Sequence, residues 1–292
     1  MGASPAEHGF RGPSDLHLHS IRSDGTETPA AVLHAAHRAG MGTVALTDHD
    51  TTAGWAEAAA ASAALGVTLL PGMELSARHE WRTVHLLAYL FDPEDAELRA
   101  ETERIRADRV GRAERIVRSI AREYDLTWDD VLAQTGVGAT VGRPHIADAL
   151  VARGHAADRG AAFAGILHPS RGHFSPHYAP DPVRAVELVV AAGGVPVLAH
   201  PAPGGRERMM SPGMLRELVA HGLAGFEIGH RENTPDGRRA LAALAAEMDL
   251  IVTGSSDYHG RGKPNRIGEN TTTDAMVARI IGLGRGTSPV YA

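Results

Sequence analysis

Short apolar runs, most of them followed by a helix-forming stretch, set the strongest limit on how this chain can fold. "DLHLHS", "TVALTDHD", "VTLLPGMELSA", "TVHLLAYLF", "VPVLAHP", "AGFEIGH" and "LIVTGSSDYHG" are rich in aliphatic and β-branched residues and read as about seven strands. "TPAAVLHAAHRAG" reads as a helix, with Thr28 as N-cap, Pro29 in the first turn and Gly40 at the end, and "TTAGWAEAAAASAALG" closes at Gly66. Near-continuous apolar strands separated by helices predict βα units around a parallel sheet buried on both faces.

The alternation breaks between about Pro93 and Pro182. "EDAELRAETERIRADRVGRAERIVRSIAREY" predicts a long, charged helix, with Asp108/Arg112 and Glu114/Arg118 spaced for i,i+4 pairs. Two shorter helical pieces follow, then the Gly-, Pro- and His-rich loop "GILHPSRGHFSPHYAPDP". We therefore expect an α/β barrel in two parts, 14–92 and 182–292, interrupted by a helical insertion at 93–181 that caps it.

Composition narrows the function. A chain of 292 residues, 43% hydrophobic and 22% charged, suits a globular enzyme. A net charge of −6 and only 4% aromatic residues argue against a DNA-binding surface or a platform for long single strands. The absence of cysteine removes disulfides, thiolate metal sites and a cysteine nucleophile. The N-terminal "MGASPAEHGFRG" has no apolar signal core and no 18-residue apolar run follows, so a soluble, cytoplasmic protein without membrane contact is expected.

Reactive groups of parallel α/β folds gather beyond the C-terminal ends of the strands. The first strand here ends in His17 and His19, two side chains on one face, with Asp24 shortly after. The second ends in Asp48 and His49 and the third in Glu74. "VPVLAHP" ends in His200, and "LIVTGSSDYHG" runs into Asp257 and His259. His34, His37 and His221 fall on amphipathic helices, and His8, His79 and His155 read as surface residues. Asp48 reads as a support for His49 rather than a ligand. Nitrogen and carboxylate donors without sulfur suit manganese, iron or zinc. The donors are too many for one ion, and Glu74 is the natural bridge between ions. Such ions, about 3.5–4 Å apart, can hold a hydroxide and clamp an in-line displacement, which suits phosphate-ester hydrolysis.

The ordered motifs "DLHLHSIRSDGT", "ALTDHDT", "PGMELSA", "VHLLAYLF", "GRPHIA", "LAHP" and "GSSDYHG" resemble those of the PHP (polymerase and histidinol phosphatase) family. The resemblance is closest to its stand-alone nucleotide phosphatases and 5′–3′ exoribonucleases. It implies a distorted seven-stranded (β/α), TIM-like barrel with a helical insertion and a trinuclear, commonly manganese, centre. One ion would take His17, His19, Glu74 and Asp257; a second Glu74, His85 and His200; the third Asp24, His49 and His259. His85 sits near the start of its strand and enters the set through the resemblance alone.

"VGRPHIADAL" offers a phosphate site, because Pro144 suits the first helical position and so puts Arg143 and His145 at a helix N-terminus. His177 and His230 are added as substrate-binding candidates. The expected substrate is a small phosphorylated nucleotide, best a nucleoside 3′,5′-bisphosphate losing its 3′ phosphate, with short 5′-phosphorylated RNA or a histidinol-phosphate-type ester as alternatives. A noncatalytic metal-binding module is the rival from another class. An amidohydrolase with a carboxylated strand lysine is disfavoured, since the single lysine, Lys263, lies in the late loop "GRGKPNR".

Overall fold

Seven strands form one sheet in chain order: β1 (Ser14–Leu18), β2 (Thr43–Leu46), β3 (Thr68–His79), β4 (Arg82–Tyr89), β5 (Val195–Leu198), β6 (Gly225–Gly229) and β7 (Ile251–Gly254). The computed structural model describes residues 12–80, 82–136, 139–204 and 209–292. Residues 1–11 of the N-terminal stretch discussed above, with His8, lie outside them. Past β7, Leu18 bridges to Tyr258 in parallel, and the His19 N–H donates to the Tyr258 carbonyl at 2.9 Å. Asp15 strengthens this seam by accepting from the backbone of Ser256 and Gly268 at 3.0 and 2.8 Å. The sheet is thus a nearly closed barrel, with the loop after β7 drawn against β1.

Helices cover the outside. α1 (Pro29–Arg38) starts as expected, with the Thr28 side chain accepting from the Ala31 N–H. α2 (Trp55–Leu65) ends at Gly66 in the left-handed conformation that glycine adopts without strain. Leu18, Val32, Leu33, Val44, Leu46 and Leu69 pack between these helices and the first strands. After the interruption come α7 (Pro182–Ala191), α8 (Pro212–Ala220), α9 (Pro235–Glu247) and α10 (Asp274–Leu283).

One expectation fails in an informative way. The pairs β1–β2, β2–β3, β5–β6 and β6–β7 are parallel, but β4 is antiparallel to both β3 and β5. Only Glu80 and Trp81 separate β3 from β4. A parallel crossover needs a dozen or more residues, so this connection permits only a hairpin. Reversing β4 brings its start to the rim where the parallel strands end, which is why His85 belongs there. The ladder pairs Ser76 with His85 and Glu74 with Leu87, so Glu74, Ser76 and His85 share a face. Glu74 is consequently mid-strand, not at a strand end as its motif suggested.

Between β4 and α7 lie α3 (Ala96–Ile120), α4 (Trp128–Leu132), α5 (Arg143–Ala152) and α6 (Arg159–Ala164), which bury their own apolar cluster around Ile116, Ile120, Val131, Ile146 and Leu150. Specific bonds tie them to the barrel rim. Arg109 of α3 pairs with Asp50 at 3.0 Å and donates to Ser76 Oγ at 2.5 Å. Arg159 of α6 grips Asp148 with two bonds of 2.6 Å and donates to the Asp24 carbonyl at 3.0 Å. Asp108 and Arg112 do not simply pair along α3. Asp108 accepts from the Tyr178 N–H at 2.6 Å, and Arg112 donates to the Ser175 carbonyl at the same distance.

Candidate metal centre

Glu74 lies at the middle of the rim and is almost wholly buried. Its Oε1 is 3.0 Å from His85 Nδ1 and 3.2 Å from His200 Nε2. Its Oε2 is 3.3 Å from His17 Nε2 and 3.1 Å from both His19 Nε2 and His49 Nδ1. A carboxylate offers about four lone-pair sites. Five imidazole nitrogens exceed that capacity, so they cannot all be donors to it; they converge as ligands do around cations.

The second nitrogen of several rings settles which one is free to ligate. His17 Nδ1 bonds Glu227 at 3.0 Å, and His259 Nδ1 donates to the Asp257 carbonyl at 2.8 Å. His19 Nδ1 lies 3.3 Å from Ser23 Oγ, whose own proton goes to Asp48 at 2.7 Å. Each ring therefore presents Nε2 inward, the arrangement of histidines that hold metals. His49 Nδ1 and His259 Nε2 each lie 3.1 Å from a carboxylate oxygen, yet neither is aligned for a hydrogen bond. Buried nitrogens left without a donor or acceptor are the mark expected where a cation completes the set.

Three groups of donors come together. His17, His19, Glu74 and Asp257 form one; His19, Asp24, His49 and His259 another; His49, Glu74 and His85 a third, each with its ligand atoms within 4.8 Å of one another. His200 joins the Glu74 side of the third group through the 3.2 Å contact above. All nine residues proposed from the motifs face one rim, and the donor set fits divalent ions. Asp24 reaches it because the "SDGT" turn folds tightly onto β1. A Cβ on Gly25 would come within 2.6 Å of the His19 carbonyl, so only glycine permits this approach. Asp48 supports His19, through Ser23 and through 2.8 and 2.7 Å bonds from Ser20 N and Oγ, and not His49 as expected.

Three backbone positions at or beside the rim are strained. Asp50, His200 and Asp257 are non-glycine residues with φ of 54°, 29° and 55°. Such conformations cost on the order of 1–3 kcal/mol each and persist where neighbours hold them. Asp50 is held by Ser76 and Arg109, His200 by a 2.9 Å bond from its N–H to Glu227 Oε2, and Asp257 by Lys263 Nζ at 2.6 Å.

Residues 15–134 match the PHP domain family. The chain is 32% identical over 253 residues to a 3′,5′-nucleoside bisphosphate phosphatase of Chromobacterium violaceum, covering 86% of this chain and 89% of that protein. The chain belongs to the PHP family. A 5′-3′ exoribonuclease of Haemophilus influenzae is also 32% identical, over 84% of this chain and 89% of its own length. A crystal structure of a candidate metal-dependent phosphoesterase from Bifidobacterium adolescentis superposes with a TM-score of 0.92 at 43% identity, covering 94% of this chain and 97% of that one. This PHP chain is thus a hydrolase of the metal-dependent phosphoesterase class.

Glu227 is the residue that sequence reasoning missed. It lies fully buried in β6, and its two oxygens serve His17 Nδ1 and the His200 N–H. The signal was an acid inside "AGFEIGH", an otherwise apolar strand of a PHP barrel. Glu227→Gln cannot present an oxygen to both partners, so it is expected to weaken metal binding about tenfold with the fold retained. Calorimetric metal titration beside thermal melting checks this, and an unaltered affinity would remove the role.

Charges set the pH behaviour. Burial disfavours protonation of His17 and His19, but Glu227, Glu74 and Asp257 around the first, and Asp257 and Glu74 around the second, outweigh it. His17 is raised well above its ordinary value of 6.5, and His19 to about 9. Burial is likewise outweighed at Glu74 by His49, His85 and His17, which hold its carboxyl well below 4.5. In the metal-free protein the two raised histidines stabilise the fold fully below about pH 6.5; the contribution of His19 is lost as pH rises through about 9, and that of His17 as pH rises through its own raised value. Cations must displace those same protons. Metal uptake at neutral pH is therefore expected to release protons and to tighten as pH rises, as calorimetry in buffers of different ionisation enthalpy will measure.

The remaining substrate candidates fall in two places. His230 is buried on the metal side, with Nδ1 accepting from the Glu232 N–H at 3.3 Å and Nε2 3.5 Å from Asp257. His177 is buried among arginines, its Nδ1 3.2 Å from Arg112. Burial, then Arg109, Arg112 and Arg78, hold its imidazole down to about 2. Burial and the charges of Arg143, Arg109 and Arg78 likewise pull the Arg112 guanidinium down to about 9. Such a field resists a further cation and favours an anion. Arg143 opens α5 with Pro144 behind it, one position later than expected, and its guanidinium lies 5.3 Å from the Phe163 ring centre. His145 is buried, and its Nδ1 accepts from the Gly142 N–H at 3.1 Å, capping the helix. His34, His37 and His221 are exposed, and His79 and His155 half-buried, all apart from the site as expected. No helix among the described residues is long and apolar enough to cross a membrane.

Proposed function

We propose that this protein is a cytoplasmic phosphatase that removes the 3′ phosphate from nucleoside 3′,5′-bisphosphates. The supporting observation is the adjacency of two unlike sites: a rim of imidazoles and carboxylates, and a cluster of Arg78, Arg109, Arg112 and Arg143, joined where Arg109 donates to Ser76 Oγ and Ser76 pairs with His85 across β3 and β4. A substrate with two phosphates can satisfy both. In this reading segment 93–181 is a cap, and Arg143 and Arg112 hold the 5′ phosphate by charge-assisted bonds. His145 keeps the start of α5 in shape, while His177 and His230 border the bound nucleotide.

The nine donors would hold three divalent ions, manganese first among the candidates, with His17, His19, Glu74 and Asp257 on one, Glu74, His85 and His200 on the second, and Asp24, His49 and His259 on the third. Ions bound there supply Lewis-acid charge neutralisation of the ester and an activated water at neutral pH. The residues of the chain supply the rest. Glu74 joins the donor groups, Glu227 and Ser23 set the ring tautomers, and the arginine cluster orients the ester over the rim.

With manganese added, a nucleoside 3′,5′-bisphosphate is expected to show a higher kcat/KM than a nucleoside 3′-monophosphate, and a 5′-phosphorylated RNA a lower one than the bisphosphate. Steady-state assays at moderate salt decide it. A wide margin for RNA would reassign the protein as an exoribonuclease, consistent with its Haemophilus influenzae relative.

A further inference from the structure

Phe174 is exposed in an unusual way. Among the described residues the exposed large hydrophobic side chains are Leu132, Phe174, Val190 and Leu283. The other three lie on helix surfaces, where single apolar side chains are ordinary. Phe174 is the aromatic one, 44% exposed, and it sits in a loop.

That loop is clamped on both sides of the ring. Before it, His173 is buried and its Nδ1 bonds Ser119 Oγ at 2.9 Å. After it, the Ser175 carbonyl accepts from Arg112 at 2.6 Å, the His177 carbonyl from Arg78 at 2.5 Å, and the Pro180 carbonyl from the Arg78 N–H at 2.8 Å. A chain held this firmly presents its one outward ring in a fixed place. Rigid aromatic surface costs little conformational entropy on binding.

The ring also has charged neighbours. The guanidinium carbons of Arg112 and Arg143 both lie 5.6 Å from its centre. An anion held between these arginines therefore lies beside the ring, and in a nucleotide only the ribose separates the 5′ phosphate from the base. We infer that Phe174 is the stacking platform for the nucleobase, the feature that makes a nucleoside ester rather than a sugar phosphate the preferred substrate. The inference rests on the nucleotide reading above and adds the residue that reads the base. Stacking uses the π-face common to all bases, so it selects for a base without selecting which one.

The test compares adenosine 5′-monophosphate with ribose 5-phosphate, which carries the phosphate and sugar alone. Binding of both to the metal-free protein is measured by calorimetry for the native chain, Phe174→Ala and Phe174→Trp. The native protein is expected to favour adenosine 5′-monophosphate. Phe174→Ala should cut the ratio of the two affinities about tenfold, and Phe174→Trp should restore it. Because each ratio comes from one protein sample, partial loss of folded material cancels. If Phe174→Ala weakens both ligands equally, the ring merely props the two arginines and the inference is overturned. Failure of the metal-loaded enzyme to hydrolyse any nucleotide would instead overturn the functional reading, and the binding ratio would still decide the role of Phe174.

Discussion

Glu74→Gln is expected to abolish turnover almost completely and to leave the purified protein with less bound metal. The carboxylate has five imidazole nitrogens within 3.3 Å, divided between its two oxygens. An amide keeps the shape but replaces one oxygen with a donor NH2. That NH2 would face either His85 and His200 or His17, His19 and His49, and it can neither ligate a cation nor neutralise one. The variant also removes the one negative charge shared by two of the three donor groups and leaves protonatable rings without their partner. Breaking a buried, paired charge typically costs about 3–5 kcal/mol, so thermal melting belongs beside elemental analysis and activity. His34→Ala, an exposed position on α1, is the matched control and should change none of the three. Full metal occupancy at a near-normal rate in Glu74→Gln would sink the bridging assignment.

Arg143→Ala is expected to lower kcat/KM for a nucleoside bisphosphate by about tenfold to a hundredfold, chiefly through KM. Loss of one hydrogen bond to a charged group is worth on the order of 1.5–3 kcal/mol. The effect should track the 5′ phosphate. A nucleoside 3′-monophosphate, which offers the cap no anion, should be nearly insensitive to the same substitution. Metal content should stay at the native level, because Arg143 belongs to α5 and not to the donor groups of the rim. Equal losses on both substrates, or none on either, would place the 5′ phosphate elsewhere in the arginine cluster. Arg109 is a poor choice for this experiment. It is committed to Asp50 and Ser76, so its removal would loosen α3 from the rim and confuse binding with anchoring.

The local pattern of the chain carried much of the fold and of the metal rim. The helix start at Thr28 and the stop at Gly66 are decided by side chains and backbone conformations within one turn, and so can be read directly. The same holds for His17 and His19. Residues two apart on a strand share a face whatever the rest of the molecule does. The motifs placed His49, His200, Asp257 and His259 just beyond the C-terminal ends of their strands, and the barrel brings those ends together.

What the linear pattern does not hold is which distant groups meet. Glu227 touches His17 across 210 positions of sequence, a partnership made by the barrel bringing β6 beside the others and by no local spacing. Arg109 and Arg112 look like members of a solvated helix face, yet both are buried, because α3 lies against the rim and the 172–180 loop. The reversal of β4 was implicit in a two-residue connection, but its consequence for His85 and for the mid-strand position of Glu74 needed the register of the hairpin. Residue type and near-neighbour spacing determined which atoms could bind a cation or a phosphate. Tertiary packing alone decided their tautomers, their burial and the field around them, because those depend on groups that sequence keeps far apart and the closed sheet brings within about 3 Å.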